Sequence, residues 1–84
     1  MNSFMSDARA QKIWFDDYNL WVLFTDGRTL SVPLAYFPRL QRATKIQRET
    51  FEMSGGGIGI HWNDLDEDIS VPHLLIGHYE KIAV

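Results

Sequence analysis

The clearest pattern in the chain is a pair of apolar runs on either side of Asp26-Gly27. Leu20-Trp21-Val22-Leu23-Phe24-Thr25 is rich in residues that suit a pleated, half-buried surface, and Arg28-Thr29-Leu30-Ser31-Val32 returns from it. Asp-Gly between strand-length runs is a preferred pair for a type I′ turn, whose two central residues both take positive φ. A two-residue loop sets Thr25 opposite Arg28, Leu23 opposite Leu30 and Trp21 opposite Val32. One face of the hairpin then carries Trp21, Leu23, Leu30 and Val32. The other carries Leu20, Val22 and Phe24 with Thr29 and Ser31. Neither face is plainly polar, so cover is expected on both, helix on one and tail or partner on the other.

Upstream, Ala8–Phe15 ends in the cluster Ile13-Trp14-Phe15 and reads as a first strand. Asp16-Asp17-Tyr18-Asn19 is its turn into the second, since Asp and Asn bond their own backbone there. Pro33 ends the third strand because it cannot donate to a ladder. Pro38 fits the first turn of a short helix over about Tyr36–Ala43. Thr44 with Gln47 forms a capping box that starts a second helix, to about Thr50. Phe37, Leu40, Ile46 and Phe51 are the expected core residues here. Helices this short need packing on a sheet to persist. Phe51–Ser54 and Ile58–Trp62 read as a hairpin over Gly55-Gly56-Gly57, and Asn63–Asp68 as a loop. Ser70 caps a last helix, with Pro72 near its first position and Gly77 at its end. The fold expected is α+β in one domain, 1–84. It has a small, mostly antiparallel sheet, made of a three-stranded N-terminal meander plus a C-terminal hairpin, packed with two or three short helices. Residues 1–7 and 78–84 read as frayed tails.

Composition narrows the function. A chain of 84 residues makes one domain, with 45% apolar and 23% charged residues in ordinary globular proportion. A domain of this size buries only ~60% of its unfolded surface, and the aromatic side chains, at ~150–250 Å² each, supply much of it. The absence of cysteine excludes disulfides, thiolate metal sites and a cysteine nucleophile, and favours a cytoplasmic location. No apolar run approaches the ~18 residues of a membrane span. A net charge of −3 counts against nonspecific nucleic-acid binding.

The motifs that invite chemistry fall short of it. Gly55-Gly56-Gly57-Ile58-Gly59 is followed by an apolar strand, whereas a phosphate loop needs a helix N-terminus there. Asp64, Asp66 and Asp68 start like a calcium loop, but the required glycine and bidentate glutamate are replaced by Ile69 and Leu75. His61, His73 and His78 have no ligand spacing and no companion nucleophile. The expectation is therefore no enzyme, no cofactor and no metal.

Two charge runs remain. Arg39, Arg42, Lys45 and Arg48 stand in a segment without an acid, and Asp64, Asp66, Glu67 and Asp68 form the reverse. Both can be plain solvated faces. They can also make a bipolar docking surface. In that case the carboxylates lie on the surface with Trp62 at their edge and contact a basic protein partner. Like charges cannot be buried together without raising one another's pKa, so these groups face water, a cation or a basic surface. An intramolecular alternative folds the loop against Arg39 or Arg42. A nucleic-acid-binding accessory using Arg39, Arg42, Lys45 and Arg48 is the second class of function.

Several stretches, in order, also point to a family. They are Phe15-Asp16-Asp17, Leu20-Trp21-Val22, Asp26-Gly27-Arg28, Val32-Pro33-Leu34-Ala35-Tyr36-Phe37-Pro38-Arg39-Leu40, Gly57-Ile58-Gly59-Ile60-His61-Trp62, Leu65-Asp66-Glu67-Asp68-Ile69-Ser70-Val71 and Leu74-Leu75. Across about residues 9–77 the chain resembles the small bacterial family catalogued as domain of unknown function "twenty-four forty-two". The resemblance implies a compact α+β domain and carries no catalytic residue over. Members are often encoded beside another small domain, which implies a toxin–antitoxin-like pair. Asn63 stands where proline is usual. The function expected is a non-enzymatic protein-interaction module, an antitoxin-like or inhibitory partner of a neighbouring small protein, as monomer or homodimer.

Overall fold

The computed structural model describes residues 8–77. The segments 1–7 and 78–84, including His78, lie outside the described residues. Strands β1 (Ala10–Phe15), β2 (Asn19–Phe24) and β3 (Thr29–Pro33) form one antiparallel sheet in that order. A 3-10 turn at Leu34–Tyr36 leads to α1 (Pro38–Arg42) and α2 (Lys45–Glu49). Strands β4 (Glu52–Ser54), β5 (Gly59–Trp62) and β6 (Glu67–Ser70) form a second antiparallel sheet, and α3 (Val71–Ile76) closes the described chain. The α+β class is as expected. The C-terminal hairpin gains a strand, because what reads as a loop through Asp68 straightens at Glu67. Along β6 the side chains alternate Glu67 in, Asp68 out, Ile69 in, but an inward carboxylate hides that period from the sequence.

The register of the first hairpin is one residue away from the expected one. Leu20 faces Val32, Trp21 faces Ser31, Val22 faces Leu30 and Leu23 faces Thr29. The loop holds Thr25, Asp26 and Gly27, closed by Phe24 N–H to Arg28 O at 2.8 Å and Gly27 N–H to Phe24 O at 2.9 Å. Gly27 has positive φ (96°), as expected, but Asp26 does not, so the turn is not type I′. The Asp26 carboxylate instead accepts from the Arg28 N–H at 3.0 Å, which folds the loop around a side chain. A one-residue slip exchanges the faces of one strand. Leu20, Val22, Phe24 and Val32 are buried together, with Leu30 packed against them. Trp21 and Leu23 share the outer face with exposed Thr29 and Ser31.

Helix α1 buries Leu40, and Phe37 before it is also buried. Helix α2 buries nothing, and Ile46, expected in the core, is 77% exposed. Polar anchors hold α2 instead. Its capping box forms, with Gln47 N–H to Thr44 Oγ1 at 3.1 Å and Thr44 N–H to Gln47 Oε1 at 2.9 Å. The Arg48 guanidinium donates to the carbonyls of Leu40 at 2.7 Å and Gln41 at 2.9 Å, at the end of α1 where Leu40 O also accepts from the Ala43 N–H. Ser70 stands at the N-cap of α3 but makes no capping bond with its side chain, since it still belongs to β6. Gly77 ends α3 in the left-handed conformation (φ 75°), as expected.

The two sheets meet along one seam. The Ala10 N–H donates to Gly57 O at 2.8 Å, and Arg9 Nη1 donates to Gly55 O at 2.8 Å. At the other end of β1, Phe15 packs edge-on against Phe51 and Trp62 at centroid distances of 6.5 and 6.4 Å.

Candidate acidic docking turn

The turn Asn63–Asp66 links β5 to β6 at the edge of the second sheet. It is closed by Asp66 N–H to Asn63 O at 3.3 Å, and Asp66 takes a left-handed φ of 51°. Among non-glycine residues that conformation is easiest for Asn and Asp. The carboxylates do not all face out. Asp64, Asp66 and Asp68 are exposed, but Glu67 is 2% exposed. Trp62 is not at the edge either. It is fully buried, and its indole N–H donates to Arg48 O at 2.8 Å. Both displacements follow from β6 being a strand. Trp62 and Glu67 are paired across β5 and β6 and point to the core together, while His61 and Asp68 point out.

Arg39 ties α1 to this turn. Its Nη1 donates to the Asp66 carbonyl and lies 3.7 Å from Glu67 Oε1. The intramolecular alternative is therefore realised for Arg39. Between α1 and the turn lies a cleft of about 380 Å³, lined by Pro38, Arg39, Arg42 and Glu67. A second cleft, of about 280 Å³, is lined by Arg39, Arg42, Ala43, Gln47, Asp64 and Leu65. The basic run is divided. Arg39 and Arg48 hold backbone carbonyls, while Arg42 and Lys45 are exposed. Lys45 lines a different cleft, with Phe15, Asp16, Asp17, Arg48 and Glu49.

Two features escape a reading by residue type. His61 lies with Nδ1 2.6 Å from Asp68 Oδ1 and Nε2 2.5 Å from Asn63 Oδ1. Those contacts, Asp68 first and Asn63 next, raise its pKa above the ordinary 6.5. Pairing β5 with a sixth strand would have found it. The half-exposed tryptophans are on the first sheet instead. Trp14 and Trp21 are cross-strand partners, stacked with centroids 6.0 Å apart and planes 7° from parallel. Lys12 Nζ stands 5.3 Å from the Trp14 ring, and the Trp21 N–H donates to Asp16 Oδ2 at 2.8 Å.

Among the described residues no group of three or more His, Asp and Glu is placed to hold a metal ion. No described helix is long and apolar enough to cross a membrane. The glycines of the β4–β5 turn all have positive φ and run into a strand, so they make a hairpin turn rather than an anion cradle.

Comparison with known proteins supplies the family. The family model described as protein of unknown function (DUF2442) matches residues 10–79. The chain belongs to this family. No functionally curated protein matches it. It is similar to a solved crystal structure of a protein of unknown function from Rhodospirillum rubrum ATCC 11170. The two are 32% identical over 90% of this chain and 94% of the other, with a TM-score of 0.76. An uncharacterized protein from Chromobacterium violaceum, solved by solution NMR, shares the fold. Its TM-score is 0.71 at 21% identity, over 92% of this chain and 77% of that one. This member of the family has an α+β architecture of two small antiparallel sheets and short helices, and its overall fold is similar to that of both solved structures.

Proposed function

We propose that this DUF2442 domain is a non-enzymatic protein-interaction module that presents the acidic segment Asp64–Asp68 to a basic partner. The partner class is a small protein that it inhibits or neutralises in the manner of an antitoxin. One observation carries the reading. Arg39 grips the backbone of the turn at Asp66 while the Asp64, Asp66 and Asp68 carboxylates face outward. A charged surface fixed before encounter loses less freedom on binding, and its field steers a basic partner toward it. Trp62 and Glu67 belong to the support of that surface and not to its contact area.

The test is a pull-down from native host lysate, followed by titration calorimetry with the captured small protein. The baits are the wild type and the double variant Asp64→Lys with Asp66→Asn. Asn suits the left-handed position of Asp66. The variant should melt like the wild type, bind more weakly and lose much of the salt dependence. Equal affinity of the two baits would remove the acidic turn from the interface. Salt-dependent RNA or DNA binding that Arg42→Gln with Lys45→Gln abolishes would move the function to the basic segment.

A further inference from the structure

His61 occupies the centre of a row across the second sheet. Its cross-strand neighbours are Glu52 on β4 and Asp68 on β6. Its ring nitrogens meet Asp68 Oδ1 at 2.6 Å and Asn63 Oδ1 at 2.5 Å. A carboxylate oxygen and an amide oxygen only accept, and an imidazole donates to two acceptors at once only when both nitrogens carry protons. With the Asn63 amide turned so that its oxygen faces Nε2, the geometry is that of an imidazolium. In the neutral ring, one nitrogen lone pair would face an oxygen. The two acceptors bracket the acidic turn, Asn63 as its first residue and Asp68 two residues past its last. The Asp66-to-Asn63 backbone bond closes the turn from within, and Arg39 holds it from the α1 side. His61 spans its base on the outer face.

We propose that His61 is a proton-operated latch, whose imidazolium holds Asn63 and Asp68 together across the base of the turn and whose deprotonation frees the Asn63 end. The polar and charged groups that face it are Asp68 from β6, Glu52 from β4 and Asn63 from the turn. Each favours the cation, so the folded pKa lies above 6.5. The latch contributes its full stabilisation below 6.5 and loses it as the pH rises through the folded value. Any effect on a partner rests on the docking reading above, but the latch itself needs no partner.

The experiment uses the protein alone. Imidazole resonances and turn amides are followed by NMR through about pH 5 to 9, across the range in which histidine changes charge. The His61 midpoint should lie above 6.5, and the amides of 63–66 should shift with the same midpoint. Amide hydrogen exchange at Asp66, corrected for intrinsic rate, should quicken several-fold above it. His61→Gln should remove that pH dependence. Asn63→Asp should raise the midpoint further, because a second acceptor becomes anionic. A midpoint at or below 6.5, or turn amides indifferent to it, overturns the latch. So does an Asn63→Ala variant with a raised midpoint, which would mean that the Asn63 amide donates to a neutral ring. These outcomes leave the partner assay untouched, so the two ideas fail separately.

Discussion

Gly57 lies so close to Ala10 that a Cβ on the glycine would fall 2.3 Å from the Ala10 carbonyl oxygen and 2.9 Å from its nitrogen. Its φ of 103° is also closed to most side chains. Gly57→Ala should therefore destabilise the domain by more than about 2 kcal/mol. At this size that is a fall of roughly 10 °C or more in Tm. Gly56→Ala is the control. There the added carbon meets only the movable Arg9 guanidinium, at 3.2 Å, and the loss should be about 1 kcal/mol. Equal melting of the two variants would show that the sheets are not joined at Gly57.

Trp62→Phe should lower stability by about 2–3 kcal/mol, from lost volume and an Arg48 carbonyl left without its indole donor. Denaturant titration measures the loss. The variant should also lose the bluest part of the tryptophan emission, since Trp62 is fully buried while Trp14 and Trp21 are half-buried. Unchanged emission would contradict that placement.

Arg39→Met removes the grip on the Asp66 carbonyl and the guanidinium beside the buried Glu67 carboxylate. Arg39 is half-exposed and its ion pair is long, so the pair itself contributes little. The expected loss is ~1–2 kcal/mol, with faster amide exchange through the turn. A double-mutant cycle of Arg39→Met with Glu67→Met should therefore give a coupling below about 1 kcal/mol. A larger coupling would show that Glu67 depends on Arg39 for its place in the core.

Asp16 accepts from the Trp21 indole, which lowers its pKa most, and from the backbone N–H groups of Tyr18 and Asn19. Its folded value lies below 3.8, so its contribution is present above 3.8 and lost as the pH falls through the folded value. Trp21→Phe should move the Asp16 midpoint up toward 3.8. A carboxyl NMR titration checks this, and an unmoved midpoint would exclude the indole contact in solution.

Local signals were legible where one residue sets one geometry. The Thr44–Gln47 box, Gly77 at the end of α3, Pro38 at the start of α1 and positive φ at Gly27 all follow from such rules. Misreadings came where a particular side-chain bond or a partner strand decides. Asp-Gly suits a two-residue turn, yet the Asp26 side chain bonds Arg28 and lengthens the loop by a residue. Glu67 reads as one more surface charge, and only its pairing with Trp62 across two strands turns it inward. Ile46 reads as core, but polar bonds anchor its helix and leave it outside. For the candidate site, the exposed aspartates and the reach of Arg39 were readable as alternatives. The His61 contacts were not, because they need the register of a strand disguised by its acids.

The seam between the sheets also sets an order of events. Each sheet joins strands that are consecutive along the chain, so both can form by closing short loops. The Arg9–Gly55 contact spans 46 residues and can form only once both sheets exist. Contacts made after the rate-limiting barrier act on unfolding and not on folding. Arg9→Met, which leaves the β4–β5 turn itself intact, should therefore shorten the lifetime of the native state and leave the refolding rate nearly unchanged. Stopped-flow chevrons would show one limb displaced and the other in place, with the N-terminal and C-terminal sheets parting first where Gly57 meets Ala10.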